Sequence, residues 1–311
     1  MAADPMDGDE GEFEGVEEAV ELDARRVNQP LAPGLYLVAT PIGNLEDITL
    51  RALRVLRMVD RVACEDTRQT QKLLHHFGIK VPTVSYHLHN ESSRAEELVA
   101  ELRAGGRIAV VSDAGTPGIA DPGAQIAALA IAAGVAVYPV PGANAAVSAL
   151  IASGLPSERF TFHGFLPAKA GARKTALEAV RAFPEGFTHV FYEAPHRIAE
   201  TLSEVEEVFG AAQPVVLARE LTKLHEEFLR GAVGEVRAGL AGRAALRGEM
   251  VLLLGPVVRE AAAGSRGVAE EVAELMMTLG LSEKDALKRV AKERGLGKSE
   301  AYRELQRERG R

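Results

Sequence analysis

The densest chemistry in the sequence lies in Ser112-Asp113-Ala114-Gly115-Thr116-Pro117-Gly118-Ile119-Ala120-Asp121-Pro122-Gly123, where three glycines, two prolines and two aspartates fall within twelve residues. Glycine admits backbone angles closed to other residues, and proline fixes its own, so such a stretch builds a rigid, irregular loop whose amides and carbonyls face outward. That loop suits a ligand needing both polar partners and close backbone approach. Two further loops share this character: Thr40-Pro41-Ile42-Gly43-Asn44-Leu45 and Pro139-Val140-Pro141-Gly142-Ala143-Asn144-Ala145-Ala146. The second opens into a helical pattern, where free amide groups can meet a carboxylate. Neither the G-x-G-x-x-G dinucleotide fingerprint nor the G-x-x-x-x-G-K phosphate loop occurs in these stretches.

Side chains able to accept a proton lie elsewhere in the chain: Glu65, Asp66 and Glu193 are carboxylates, and His87, His89 and His196 are imidazoles. Spacing alone does not choose a general base among them. His87-Leu88-His89 has no clear third ligand, and Cys64 is the one cysteine, so neither a metal centre nor a disulfide is expected. Arg68, Arg197, Arg219 and Lys223 are suited either to phosphates or to ion pairs within the fold. Arg51, Arg54 and Arg57 form a further basic ridge, read either as a solvated helix face or as a phosphate track.

These residues need a frame. Leu35 to Ala39, Arg61 to Cys64, Arg107 to Ser112 and Val135 to Val140 read as buried strands, each followed by a Gly- or Pro-marked turn and a helix-compatible stretch. This βαβ rhythm predicts a mostly parallel sheet with the three loops at its carboxyl edge, where open α/β sheets hold ligands. Between the first two strands a helix is expected behind a Thr49 cap, with Leu50, Leu53, Leu56 and Val59 inward. A second series, Phe160 to Gly164, Phe187 to Tyr192, Pro214 to Arg219, Glu226 to Arg230 and Glu249 to Leu254, predicts a mixed sheet. The expected division is an acidic tail over 1–30, α/β domains over 31–154 and 155–258, a linker over 259–267 and a helical module over 268–311. In that module Val268 to Leu279, Glu283 to Arg294 and Glu300 to Arg309 read as helices, with Ser282 and Ser299 as caps.

Charge follows the same division. The net charge is -8, and residues 1–30 carry ten carboxylates against Arg25 and Arg26, leaving 34 acids and 34 bases elsewhere. The tail cannot bury enough apolar surface to order itself. Residues 282–311 hold ten bases and six acids, the one positively biased block. No apolar run reaches the roughly 18 residues of a membrane span and the start lacks a signal-peptide pattern, so a cytoplasmic protein is expected.

The stretches ATPIGNLEDIT (Ala39 to Thr49), CEDTRQT (Cys64 to Thr70), SDAGTPGIADPG, PGANAAVSAL (Pro141 to Leu150), HGFLP (His163 to Pro167), FYEAPHR (Phe191 to Arg197) and ARELTKLHEE (Ala218 to Glu227) together resemble the ribosomal RNA small subunit methyltransferase I family. The resemblance runs in order from about Leu35 to Gly255 and is most specific in the Asp113 to Gly123 loop. It implies a two-domain tetrapyrrole methylase-like α/β fold with a small helical C-terminal module. The implied activity is S-adenosylmethionine-dependent 2'-O-ribose methylation of a cytidine in the decoding region of 16S rRNA, with the small ribosomal subunit as partner and a homodimer as the default state. By the same resemblance Pro41, Asp113, Ala114, Gly115, Ile119, Asn144 and Ala145 line the cofactor from the first domain, and Tyr192, Glu193 and Met250 from the second. Glu65, His87, Glu193 and His196 are the candidate catalytic groups, and Arg68, Arg197, Arg219 and Lys223 the candidate RNA contacts. Two alternatives are a tetrapyrrole methylase of cobalamin synthesis, whose hallmark G-x-G-x-G opening and GDP loop are replaced here by TPIGNL and DAGTPG, and a non-catalytic nucleotide- or RNA-binding module.

Overall fold

A computed structural model describes residues 29–243, 246–257, 267–294 and 296–309. The acidic stretch 1–28 and nearly all of the expected linker, 258–266, lie outside the described residues. The chain divides into two compact units between Val257 and Val258.

The first unit is built on two five-stranded sheets. Strands β1 (Gly34–Val38), β2 (Arg61–Cys64), β3 (Thr83–Ser85), β4 (Arg107–Val111) and β5 (Val137–Val140) form an all-parallel sheet in the order β3-β2-β4-β1-β5. Its inner strands are near-continuous apolar runs, as a sheet covered on both faces requires. β3 was not among the expected strands: it is three residues long, half-buried and at an edge, too short to show a periodic signal. β5, at the other edge, accommodates Pro139 because its missing amide is needed by no neighbour. Helices α1 (Leu50–Met58), α2 (Thr67–His76), α3 (Glu91–Arg103) and α4 (Ala124–Ala132) connect these strands. α1 starts at Thr49, whose hydroxyl accepts the Ala52 amide, and buries Ala52, Val55 and Leu56. Leu50, one of the residues expected inward, is instead exposed, because in the first turn it lies off the stripe that faces the sheet.

Strands β6 (Phe160–Phe165), β7 (Thr188–Glu193), β8 (Pro214–Arg219), β9 (Glu227–Ala232) and β10 (Met250–Leu254) form the mixed sheet, ordered β6-β7-β10-β8-β9. Only the β6–β7 pair is parallel. Helices α6 (Ala170–Arg181), α7 (Ile198–Phe209) and α8 (Val233–Leu240) cover one face through Leu177, Leu202, Val205 and Val236. On the other face lies α5 (Ala145–Ser153), whose Ala146, Ala149 and Leu150 pack with Ile42, Val190, Val216 and Val251. That cluster joins the first loop of the parallel sheet to the mixed sheet, so both sheets contribute to one core.

The second unit is three helices, α9 (Val268–Leu279), α10 (Glu283–Glu293) and α11 (Lys298–Arg309), packed on Val268, Val272, Ala286, Val290, Ala301 and Leu305. Ser282 caps α10 by accepting the Asp285 amide. Ser299 does not cap α11: the helix begins at Lys298, with the Gly297 carbonyl already accepting from Glu300 and Ala301, so Ser299 falls inside the first turn.

Candidate active site

The three glycine- and proline-rich loops leave β1, β4 and β5 at the same carboxyl edge and are laced to one another. Thr40 and Gly115 exchange backbone hydrogen bonds of 2.8 and 3.0 Å, and the Thr40 hydroxyl donates to the Ser112 carbonyl at 3.2 Å. The Thr116 hydroxyl donates to the Ala143 carbonyl at 3.1 Å, and the Asn144 amide group donates back to the Thr116 oxygen at 3.3 Å. Gly115 adopts φ +82°, and a Cβ there would stand 3.2 Å from the Ile42 side chain. Ala120 holds φ +63° without a glycine's freedom, a local strain of the kind found at ligand sites.

These loops and the mixed sheet enclose a cleft of about 650 Å³. Ile42, Ala114, Ile119, Ala145, Leu221, Met250 and Val251 supply apolar wall, and Phe165 and Tyr192 present rings from the mixed sheet. Glu65, Asp113 and Asp121 line it as well. Register explains part of this meeting: Cys64 pairs with Val111, so the residues that follow β2 and β4 emerge side by side. The Asp66 amide donates to the Asp113 carboxylate at 3.1 Å, tying the two turns together.

Burial and neighbouring charge change the acidity of Asp121 and Glu65. Asp121 is pushed up to about 6 by burial and by the neighbouring charges of Glu65 and Asp113, against a Ser112 hydroxyl contact that lowers it. Glu65 is raised by burial and by Asp113, with His87 pulling the other way. Burial also raises the Tyr192 phenol, and the charge of Asp121 adds to the effect. No salt bridge reaches these three acids among the described residues.

S-adenosylmethionine fits this arrangement by shape and by charge. The volume lies within the range of small-molecule sites, apolar wall suits an adenine ring, and the acidic cluster suits a sulfonium cation and an ammonium group. Of the residues expected around the cofactor, Asp113, Ala114, Gly115, Ile119, Ala145, Tyr192, Glu193 and Met250 line the cleft; Pro41 and Asn144 do not. Asn144 instead caps α5, accepting the Val147 amide at 3.0 Å, which holds Ala145 in the wall.

The candidate catalytic groups separate. Glu65 lines the cleft, and His87 is close enough to shift it. Glu193 is buried and saturated: it accepts from Thr201 at 2.7 Å and from the Ala194 amide at 2.7 Å, and it pairs with Arg197 at 3.0 Å. His196 lines a different cavity, with Ala199, Glu206 and Arg237. His89 is exposed, 5.9 Å from the His87 ring, and Asp66 caps α2.

The candidate RNA contacts are mostly engaged in ion pairs. Arg68 clasps Asp66 at 2.8 Å, Arg197 holds Glu193 and the Leu166 carbonyl, and Arg219 pairs with Glu227 at 3.0 Å. Lys223 lines the cleft between Glu220 at 2.8 Å and Glu249 at 3.0 Å. Asp121, absent from the expected site residues, is the titratable group most altered by the cleft. Its signal in the sequence is its place as the second aspartate of the densest loop.

A family model described as Tetrapyrrole (Corrin/Porphyrin) Methylases matches residues 34–237. Ribosomal RNA small subunit methyltransferase I of Halalkalibacterium halodurans is 47% identical over 278 residues, covering 86% of this chain and 93% of its own. The protein of the same name from Bacillus subtilis is 45% identical over 273 residues, covering 86% and 92%. Among solved structures, uroporphyrin-III-C-methyltransferase from Thermus thermophilus superposes with a TM-score of 0.51 at 24% identity, covering 73% of this chain and 96% of its own. Diphthine synthase gives 0.54 at 14% identity, covering 71% and 89%, and both likenesses concern the fold. With the cleft, the tetrapyrrole methylase fold and these relatives in agreement, the chain belongs to the ribosomal RNA small subunit methyltransferase I family of S-adenosylmethionine-dependent methyltransferases.

Proposed function

We propose that the enzyme methylates the ribose 2'-hydroxyl of a cytidine in the decoding region of 16S rRNA, acting in the cytoplasm on the small ribosomal subunit, as a homodimer. The observation that carries the chemical part is the acidic cluster of Glu65, Asp113 and Asp121, without an ion-pair partner among the described residues, in a cleft with much apolar wall. The names of the relatives support the rRNA part.

The cofactor supplies an electrophilic methyl carried on a sulfonium. A ribose hydroxyl is a weak nucleophile that must lose its proton during or after attack, so the protein has to align it and accept that proton. Asp121, held near 6, is mostly ionised at neutral pH yet far more basic than an ordinary carboxylate. We assign it the role of proton acceptor, with burial first, and then Glu65 and Asp113, setting its basicity. Their combined charge also favours a cationic donor over the neutral product left after transfer, which helps release. The laced loops position the donor side, and Phe165 and Tyr192 offer faces against which a splayed base can rest. Glu193 has no lone pair to spare for the reaction; it positions Ala194 and Pro195, which line the cleft, by clamping Arg197 and Thr201.

RNA affinity is assigned in part to the three-helix unit. Tyr302 is half exposed there and lines a surface hollow together with Lys284, Lys288 and Arg303. Mass mapping of 16S rRNA from cells lacking this protein should show one decoding-region cytidine without its ribose methyl, restored by the wild-type gene. An unaltered methylation map would overturn the rRNA reading. Transfer of labelled methyl to isolated small subunits but not to precorrins separates it from tetrapyrrole chemistry.

A further inference from the structure

Strand β6 departs from its neighbour where it meets the cleft. Phe162 pairs with Val190 and Phe165 with Tyr192, so three steps along β6 oppose two along β7. Gly164, inside that span, holds φ +67°, a left-handed conformation that lets one extra residue be absorbed. Such a bulge is rare between parallel strands. Because side chains alternate along a strand, the extra residue reverses the face that each later side chain occupies. His163 lies on the helical side of the mixed sheet, where it stacks on Phe191 with ring centroids 4.7 Å apart and an interplanar angle of 12°. Unbroken alternation would send Phe165 to that same side. The bulge instead brings it to the cleft, edge-on to Tyr192 at 5.6 Å, and turns the next residue, Leu166, into the helical core.

The residue before the bulge is pinned. His163 Nε2 lies 3.0 Å from Nδ1 of the buried His189, and the Phe183 ring meets both imidazoles edge-on. Burial lowers the pKa of both, that of His189 to about 4 with the charge of His163 adding to the effect, so at neutral pH the two are uncharged and share a hydrogen bond. Phe165 is thereby held with 58% of its surface in water, while the other large apolar side chains of the cleft wall are all more covered. A single exposed ring is ordinary on a protein surface. One aimed by a left-handed glycine and a buried hydrogen bond is a built feature.

In a ribose methylated at the 2'-hydroxyl, the carbon next to the reacting one carries the base. When that hydroxyl reaches the donor, its base therefore lies at the same mouth of the cleft. The donor's adenine, the other flat ring in the reaction, suits the covered part of the wall better. We propose that the β6 bulge is a positioning device for RNA: Gly164 and the His163–His189 pair hold Phe165 as the platform on which the base of the target nucleotide stacks. None of His163, Gly164 and His189 lines the cleft, so all three act through Phe165. This role rests on the rRNA substrate proposed above.

The test measures methyl transfer to small ribosomal subunits that lack the modification, with donor affinity measured separately by calorimetry. Loss of one stacked aromatic weakens nucleic-acid binding by about 5- to 150-fold, so Phe165→Ala should raise KM for the subunits by that factor, with the donor Kd within about twofold of wild type. Phe165→Trp should recover most of the loss. The chain has no tryptophan, so this variant carries a single indole, whose emission should be quenched by the subunits and not by S-adenosylmethionine. Gly164→Val, whose branched side chain does not fit the left-handed region, should reproduce the rise in KM, whereas Gly164→Asn, which tolerates it, should not. His163→Leu should act in the same direction as Gly164→Val. A purely structural role would add its loss in any background; in the double variant Gly164→Val, Phe165→Ala, KM should instead be no higher than in Phe165→Ala alone. An unchanged KM in Phe165→Ala, a weakened donor Kd, or additive losses in the double variant would overturn the proposal. If the wild-type protein transfers no methyl to small subunits, the substrate reading itself fails and the platform falls with it.

Discussion

Two sets of carboxylates in this molecule are treated oppositely. Glu193, which also borders the cleft, is paired with Arg197 and Thr201, and Glu204 holds the guanidinium of the fully buried Arg173 at 2.6 Å. Elsewhere in the cleft, the half-buried Glu65 and Asp121 and the exposed Asp113 lie near one another with no guanidinium or ammonium pairing among the described residues. The first arrangement is what a fold needs, because a buried charge is tolerable only with a partner and filled hydrogen bonds. The second costs stability and is retained where a perturbed acid is useful. Burial alone therefore does not mark a functional acid in this chain; burial without a partner does.

The largest effect expected on that contrast comes from Asp121→Asn. If Asp121 accepts the proton, methyl transfer to small subunits should fall by about 100- to 10,000-fold, while calorimetry shows a higher melting temperature. The sign of the stability change follows from the raised acidity constant. An acid whose folded value, about 6, lies above its ordinary value stabilises the fold only while protonated. That contribution is full below the ordinary value and is lost as pH rises through 6, so at neutral pH the ionised group is a liability that asparagine removes. Wild-type transfer should rise with pH through about 6, and the variant should lack that limb. Undiminished transfer would remove Asp121 from the chemistry.

Glu193→Gln should do the reverse. It leaves Arg197 charged beside the Leu166 carbonyl, without its carboxylate, and should lower unfolding free energy by roughly 3 kcal/mol in urea titrations. The methyl transfer rate of the folded protein should change far less than in Asp121→Asn. A loss of under about half a kcal/mol, the range of an ordinary surface change, would erase the distinction between the two sets.

The smallest effect sharpens the comparison within the cleft. Glu65→Gln deletes one of the charges that hold Asp121 up, so the acid limb of the pH-rate profile should move to lower pH, by less than about one unit. A limb that stays in place, or moves upward, would mean that Glu65 does not help to raise Asp121.

Much of this was legible in the residue types. Gly115, Pro117, Gly118, Pro122 and Gly123 announce a fixed loop because their backbone preferences are local, and the strands before the loops announce themselves as apolar runs. The division of labour among the carboxylates was not legible, since it depends on distances that sequence does not hold. Glu193 reads as a candidate base in FYEAPHR until the first turn of α7 brings Thr201 onto it, and Asp121 reads only as one polar group of a ligand loop until Glu65 comes beside it from the end of β2. His196, two residues from the cleft-lining Ala194, points to another cavity for the same reason.

The reciprocal bonds between Thr40 and Gly115 bear on timing. Because the β1 and β4 loops are sewn into a two-residue antiparallel bridge, neither can be reshaped without unmaking the other. The entropy of arranging them is therefore spent when the chain folds, before any ligand arrives, and a donor molecule meets a mould already set. Association with the donor should then be limited by its diffusion into the cleft and by displacement of water, and the donor-side surface that greets the RNA should be the same at every turnover.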